Sequence, residues 1–198
     1  LRAVEVTIQN LIIKGFDPGT ANNPYRGFVY TSFQERATKV SHQNVSKLAR
    51  AAGDQTLQVI CNTIASDEAR HERAYTKFMG YLFEQDPAGA VLAFRDVLQN
   101  QIVMPAQNMG GTGEPDLFER FSAVAQRLGV YTAENYAQIV THLVDRWRVE
   151  SLAGLSGEAA AAQEYVCTLG PRYRRLAERA SRRATPTPPQ AFSWIFDR

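Results

Sequence analysis

The chain has 198 residues, of which 44% are hydrophobic and 21% are charged. This length suits one domain with its own core, and the composition argues against disorder along the whole chain. The net charge of +2 is too balanced to make nucleic acid the expected partner, and the longest apolar run, Leu11-Ile12-Ile13, is too short for a transmembrane segment.

Cysteine usage and the start of the chain bear on the compartment and on processing. The two cysteines, Cys61 and Cys167, are too few for a disulfide-stapled secreted scaffold. We expect a reducing compartment, with Cys61 buried as an apolar thiol. No signal or transit peptide is visible, and the chain opens at Leu1, in helical sequence without an initiator Met. We therefore expect a processed or truncated product.

Helical periodicity with turn signals predicts an all-α fold. A short amphipathic segment, 4–14, ends at Gly15, and Pro24 opens the first long helix. Gly53 ends that helix and Asp54 caps the next one. The predicted long helices span about residues 24–52, 54–83, 86–101, 115–128, 132–149, 156–170 and 172–183.

The C-terminal part of the chain is predicted to leave the helical unit. Gly170 and Pro171 predict a break between the last two helices. The Pro-rich run 185–189 cannot be helical. We therefore predict a helical bundle over residues 1–184, followed by an extended tail over residues 185–198 that carries an apolar anchor.

Two glutamates and a histidine on the first two long helices form the chemically informative pattern. Glu35 lies on a stripe from Phe28 to Val45 that we expect to face a core. Glu68 and His71 project from one face of the next helix, one turn apart, within an otherwise apolar stripe.

The turn at Gly53 places these residues at a similar height. It makes the two helices antiparallel neighbours, and Glu35 and Glu68 lie 18 and 15 positions away from it. The two glutamates therefore differ by only ~4–5 Å along the helix axis. A buried carboxylate is costly unless it is paired or binds a metal. Two carboxylates and an imidazole at one level suit a cation such as iron or manganese.

An alternative interpretation places the Glu-x-x-His pair on a solvated helix face, where such pairs are common. This helix also has a charged side that we expect to face water, formed by Asp67, Arg70, Glu72 and Arg73. The matching Glu35 on an apolar stripe favours the metal. The pattern is half of the four-helix di-iron carboxylate site, which takes a Glu from each of two helices and a Glu-x-x-His from each of the other two.

Longer motifs resemble one family over essentially the whole chain. They are TSFQERAT at 31–38, DEARHE at 67–72, AYTK at 74–77, VLAF at 91–94, MPA at 104–106, FSAVAQRLGVYT at 121–132 and FSWIFDR at 192–198. In these runs the chain resembles the soluble acyl-[acyl-carrier-protein] desaturases of plant plastids, typified by the stearoyl enzyme. The resemblance implies a ferritin-like di-iron helical bundle that is usually a homodimer.

The resemblance also implies roles for individual residues. Glu35, Glu68 and His71 match iron ligands, with Glu68 bridging the two irons. Thr38 matches a threonine beside the oxygen-binding pocket, and Asp67 matches an aspartate on the electron-transfer route. The positions that match the acyl channel, which helps to set chain length, are Pro18, Thr20, Gly27 and Phe28.

The activity that the resemblance implies is the introduction of a cis double bond into a saturated acyl chain on acyl carrier protein. Such an enzyme of fatty acid biosynthesis uses O2 and reduced ferredoxin at the di-iron centre, and its location is the plastid stroma. The acidic carrier protein would dock on basic surface. The arginines at 172–183 are a candidate surface, with a solvated helix face as the alternative.

The family has two further core helices before the point that matches Leu1, with a lone ligand Glu and the first Glu-x-x-His. No glutamate here other than Glu68 has a histidine three positions later, so that half of the ligand set is absent. The stripes of Glu35 and Glu68 would then face water, and we expect a covering partner. Three interpretations remain: a desaturase represented in part, a non-catalytic structural subunit of a larger plastid complex, and another di-iron activity on this fold.

Overall fold

The computed structural model describes residues 2–100, 102, 104–110, 113 and 116–183, and the predicted tail over 185–198 lies outside these residues. Over the described residues the chain is helical, which confirms the predicted all-α fold. The helices are α1 (Arg2–Lys14), α2 (Pro24–Ala51), α3 (Gln55–Gln85), α4 (Pro87–Gln99), α5 (Leu117–Arg127), α6 (Ala133–Arg146) and α7 (Gly157–Arg183). None of the described helices is long and apolar enough to cross a lipid bilayer.

The helices begin where side chains can cap them. Asn23, Asp54 and Thr132 each accept a hydrogen bond from the backbone amide three residues later. They thereby satisfy amides that have no partner within the helix. Gly53 adopts a φ of +79°, which lets the chain leave α2 and turn into α3. The starts predicted for α2, α3 and α6 are confirmed to within one residue.

The core lies on one side of the hairpin formed by α2 and α3. These two helices pack along each other, and α4, α6 and α7 complete a single apolar cluster with them. Its largest fully buried side chains include Phe33 on α2, Met79 on α3, Phe94 on α4, Leu143 on α6 and Leu169 on α7. The hairpin is therefore supported from one side, and its other side is open to solvent among the described residues.

The stripe of α2 that carries Glu35 lies at the edge of this core. Val29, Phe33 and Ala37, which point away from Glu35 around the helix, are almost completely buried. Glu35 itself is only partly buried. The expectation that its stripe faces the core is therefore wrong, because the helices that complete the core pack against the side of α2 that carries Phe33.

The last two predicted helices are one continuous helix. α7 passes through Gly170 and Pro171 to Arg183, so the predicted break is wrong. Proline removes one backbone hydrogen bond from a helix interior, but tertiary contacts on both sides of it hold α7 in place. Leu169 is buried in the core, and the ring of Tyr173 meets that of Tyr136 edge-on at 5.3 Å.

Gly170 lies in the contact between α7 and α6, and a larger residue there is expected to destabilise the fold. A Cβ at Gly170 would clash with Oγ1 of Thr141, which is itself held by a hydrogen bond to the Ala137 carbonyl. The steric overpacking caused by an alanine at this position would cost ~1–3 kcal/mol of stability. This cost would exceed the gain of up to ~1 kcal/mol that comes from the higher helix propensity of alanine. Gly170→Ala should therefore lower the free energy of unfolding, measured by denaturant titration, by about 1–2 kcal/mol.

The matched control for this substitution is Gly80→Ala in α3. Gly80 is also helical, but a Cβ there meets no atom within 4 Å. Gly80→Ala should therefore leave the free energy of unfolding unchanged or raise it by up to ~1 kcal/mol. Equal effects of the two substitutions would contradict the steric argument.

Candidate metal centre

Three side chains predicted from the sequence meet between α2 and α3. One ligand atom from each of Glu35, Glu68 and His71 lies within 4.8 Å of the others. Nδ1 of His71 lies 3.2 Å from Oε2 of Glu35 and 3.4 Å from Oε2 of Glu68. The short turn at Gly53 and the rise of the helix bring Glu35 level with the Glu-x-x-His pair.

The cluster sits at the rim of the hairpin, half shielded from solvent. The side chains of Glu35 and Glu68 are 17% and 19% exposed, and that of His71 is 57% exposed. Burial, reinforced by the neighbouring Glu68, raises the pKa of Glu35 to about 7. Desolvation acts to lower the pKa of His71, but its contacts with Glu35 and Glu68 outweigh it and raise the pKa. Two carboxylates therefore lie close together in one site, and a bound cation would reduce the repulsion between their charges.

The donor set fits a transition-metal ion. Carboxylate oxygen and imidazole nitrogen are the donors that iron and manganese take in proteins. Glu35, Glu68 and His71 supply three such donors from two helices, so a bound ion would keep positions for ligands from elsewhere. The four-helix di-iron sites need twice this set.

Two further predicted residues lie next to the cluster, but with partners of their own. Thr38, one turn after Glu35, donates its hydroxyl to the carbonyls of Gln34 and Glu35 at 3.1 and 3.0 Å. Asp67 forms an ion pair with Arg70 on the exposed side of α3. Thr38 therefore has a hydroxyl oxygen that can still accept a hydrogen bond.

The four predicted channel residues lie in the loop before α2 and in its first turns. Pro18 and Thr20 belong to the loop, and Gly27 accepts a hydrogen bond from the Thr31 hydroxyl. The ring of Phe28 lies 6.4 Å from that of Tyr75 and 5.6 Å from that of Phe78. Phe28 thus forms an apolar contact with α3 on the His71 side of the hairpin.

A separate apolar cavity of about 750 Å³ opens between α2, α5, α6 and α7. Its walls include Ala37 and Ser41 of α2, Phe118 of α5, Tyr136 of α6 and Leu176 of α7. None of the four predicted channel residues lines it. No sequence motif pointed to this cavity, since its walls come from helices that are far apart in the chain.

Glu72 was expected on the charged, solvated side of α3, and that expectation is wrong. Its residue surface is 6% exposed, and its carboxylate is bound by Arg36, Lys39 and His142. Oε1 accepts a hydrogen bond from Nη1 of Arg36 at 2.6 Å and lies 3.2 Å from Nε2 of His142. A heptad spacing could have revealed this, because the buried residues Ala65 and Met79 lie seven positions before and after Glu72.

Apolar side chains continue above and below the cluster on the open face of α3. Leu57, Ile60 and Phe78 are 39%, 49% and 48% exposed and lie at helical spacing with His71. Exposed apolar stripes of this kind mark surfaces that another chain segment covers. Of the stripe predicted around Glu68 and His71, Leu57 and Phe78 face water in the described residues, whereas Cys61 is buried.

Fold and site together define a helical-bundle protein with a carboxylate–histidine cluster between two antiparallel helices. The sequence model described as "Fatty acid desaturase" matches residues 1–196. The chain therefore belongs to the fatty acid desaturase family.

More than half of the chain's residues are identical in curated relatives. It is 59% identical over 198 residues to the stearoyl-[acyl-carrier-protein] 9-desaturase, chloroplastic, of Spinacia oleracea, covering 50% of that protein. It is 58% identical over 198 residues to the stearoyl-[acyl-carrier-protein] 9-desaturase 5, chloroplastic, of Oryza sativa subsp. japonica, covering 51% of that protein. It is also 58% identical over 198 residues to the stearoyl-[acyl-carrier-protein] 9-desaturase, chloroplastic, of Ricinus communis, covering 50% of that protein. The chain spans about half the length of the curated relatives that it matches.

Proposed function

We propose that this chain is part of an acyl-[acyl-carrier-protein] desaturase that introduces a cis double bond into a saturated acyl chain. The observation that carries the proposal is the convergence of Glu35, Glu68 and His71 in a chain of this family. The relatives are named stearoyl-[acyl-carrier-protein] 9-desaturases, chloroplastic, which supports the acyl carrier protein as the substrate carrier and the plastid stroma as the location.

Iron is the metal that we assign to the cluster. Glu35, Glu68 and His71 would hold it, and the other ligands of a di-iron centre would come from outside this chain. The bound iron supplies redox chemistry with O2, for which ferredoxin is the proposed electron donor. The covering segment would pack on the exposed apolar residues of α3 and exclude water from the site.

Other residues of the chain would serve the substrate. The rings of Phe28, Tyr75 and Phe78 form an apolar wall beside the cluster, where a methylene chain could lie without water. We propose that Pro18, Thr20 and Gly27 continue this wall and that the Thr38 hydroxyl holds a proton next to Glu35. Asp67, paired with Arg70 at the surface, lies on the proposed electron route.

The C-terminal half of α7 is the proposed docking surface for the acidic carrier protein. Arg172, Arg174, Arg175 and Arg179 are exposed along it. Within the part of the chain that the structure describes, Arg174 alone of these four forms an ion pair, with Glu134 at 3.7 Å. Acidic partners associate faster with such basic surfaces.

A second candidate is a non-catalytic structural subunit. The observation that favours it is the half ligand set beside an exposed apolar face among the described residues. Such a subunit would bind a partner chain on α2 and α3 and would hold no iron.

The test is the iron content and the activity of the native protein purified from its source. The enzyme proposal predicts two irons per active site and conversion of stearoyl-acyl carrier protein to a monounsaturated product with O2 and reduced ferredoxin. An iron-free protein that stays bound to a partner and gives no product would instead establish the structural role.

A further inference from the structure

Two ion pairs link α2 and α3 at one level, on opposite sides of the hairpin. On the open side, Glu35 meets His71 at 3.2 Å. On the buried side, the next residue of each helix makes the second link, because Arg36 meets Glu72 at 2.6 Å. The two links therefore join successive residues of α2 to successive residues of α3.

The buried link is part of a larger group, the Glu72 cluster, formed by Arg36, Lys39, Glu72 and His142. Lys39 lies one turn after Arg36 on α2 and binds the other carboxylate oxygen of Glu72. His142 approaches the same carboxylate from α6. Burial acts to raise the pKa of Glu72, but hydrogen bonds from His142, Lys39 and Arg36 outweigh it and lower the pKa to about 2.

This arrangement resists displacement of one helix along the other. A slip of one helical turn would move the helices by ~5.4 Å, so Arg36 and Lys39 could no longer bind the two oxygens of Glu72 at the same time. A buried carboxylate that loses its partners is strongly unfavourable. On the open side, Glu35 and His71 are partly exposed and can exchange their contact for water. The turn at Gly53 sets the register of the two helices, and the buried group holds that register at the level of Glu35, ~27 Å along the helix from the turn.

We propose that Glu72 is a positioning residue that acts through Arg36 and Lys39 to hold Glu35 level with Glu68 and His71. Its carboxylate is bound by Arg36, Lys39 and His142 and by none of the three proposed ligands among the described residues, and it acts by holding the register of α2 against α3. The inference depends on the proposed metal function only where its test measures metal affinity.

The test compares Glu72→Gln with Asp96→Asn in the full chain. Asp96 is a matched control because it also binds two cations, Arg26 at 2.6 Å and Arg95 at 2.8 Å. Arg26 lies ~13 Å along α2 from Glu35. Two quantities are measured on folded protein: the nuclear Overhauser effect between the Glu35 and His71 side chains without metal, and the affinity for Co²⁺ as a spectroscopic probe.

Glu72→Gln is expected to weaken or abolish the Overhauser effect and to lower the Co²⁺ affinity by about 10-fold or more. Asp96→Asn should preserve the Overhauser effect and change the affinity by less than about 2-fold. Similar Overhauser effects in the two variants would overturn the proposal, and so would similar Co²⁺ affinities where the unsubstituted chain binds Co²⁺. If the unsubstituted chain binds no Co²⁺, the three ligands do not hold a metal without the ligands from outside this chain, and the metal-free measurement alone decides the positioning role.

A milder variant covers the case in which Glu72→Gln does not fold. Lys39→Met removes one of the cations but leaves Glu72 paired with Arg36 and His142. It is expected to weaken the Overhauser effect between Glu35 and His71 with a smaller loss of stability. An unchanged Overhauser effect in folded Lys39→Met, together with an unfolded Glu72→Gln, would show that the cluster stabilises the fold without positioning the ligands.

Discussion

Replacing Glu68 with alanine in the native, full-length protein is expected to abolish iron retention and desaturation together. Glu68 contacts His71 at 3.4 Å and shares the site with Glu35, so its loss leaves one carboxylate and one imidazole of the three ligands that α2 and α3 supply. A metal that supplies the redox chemistry cannot be replaced by the remaining side chains. Turnover of stearoyl-acyl carrier protein should fall to the level of the metal-free protein, with no bound iron in elemental analysis.

The control for this prediction is Glu84→Ala near the C-terminal end of the same helix. Glu84 is exposed and lies outside the cluster, so both iron content and turnover should stay at the level of the unsubstituted protein. Retention of turnover by Glu68→Ala would rule out the metal assignment. Loss of activity with iron retained would instead place Glu68 in a role other than metal binding.

Replacing Trp147 with alanine is expected to give the largest loss of stability. Trp147 is 5% exposed and packs against Phe83 and Phe94, at 5.4 and 5.0 Å between ring centres. Its Nε1 donates a hydrogen bond to the carbonyl of Thr76 at 3.0 Å. Removal of a buried aromatic ring typically costs about 3–5 kcal/mol. Trp147→Ala should therefore lower the free energy of unfolding, measured by denaturant titration, by that amount.

Two comparison variants separate packing from hydrogen bonding at Trp147. Trp147→Phe keeps an aromatic ring but loses the N–H donor, and it should cost about 1–2 kcal/mol. Leu128→Ala removes a side chain that is 51% exposed and should cost less than ~0.5 kcal/mol. If Trp147→Ala cost no more than Leu128→Ala, the junction of α3, α4 and α6 would not be the stabilising contact that the ring geometry indicates.

The meeting of the three proposed ligands could be predicted because it follows from local rules. The α2–α3 turn is set by Gly53 with its positive φ and by the cap at Asp54. The constant rise of an α-helix then places Glu35 opposite the Glu-x-x-His pair. Each step depends on a few neighbouring residues and on short-range geometry, so no knowledge of the other helices was needed.

Features that depend on distant helices were predicted wrongly or missed. The pattern on α3 shows which residues share a face, but not which face α6 will cover. Glu72 is therefore buried against His142, although its neighbours in sequence are charged. Likewise, Pro171 indicates a break by local rules, but the packing of Leu169 and Tyr173 keeps α7 continuous.

By itself the sequence determined the helical class, the starts of α2, α3 and α6, the family and the two helices that carry Glu35, Glu68 and His71. These depend on capping, periodicity and motif content within short stretches of chain. Only the tertiary structure decided which side of the α2–α3 hairpin is buried, how the Glu72 cluster forms and where the apolar cavity opens. The physical reason is that burial depends on which helix faces compete for the same core, and that competition involves residues far apart in sequence.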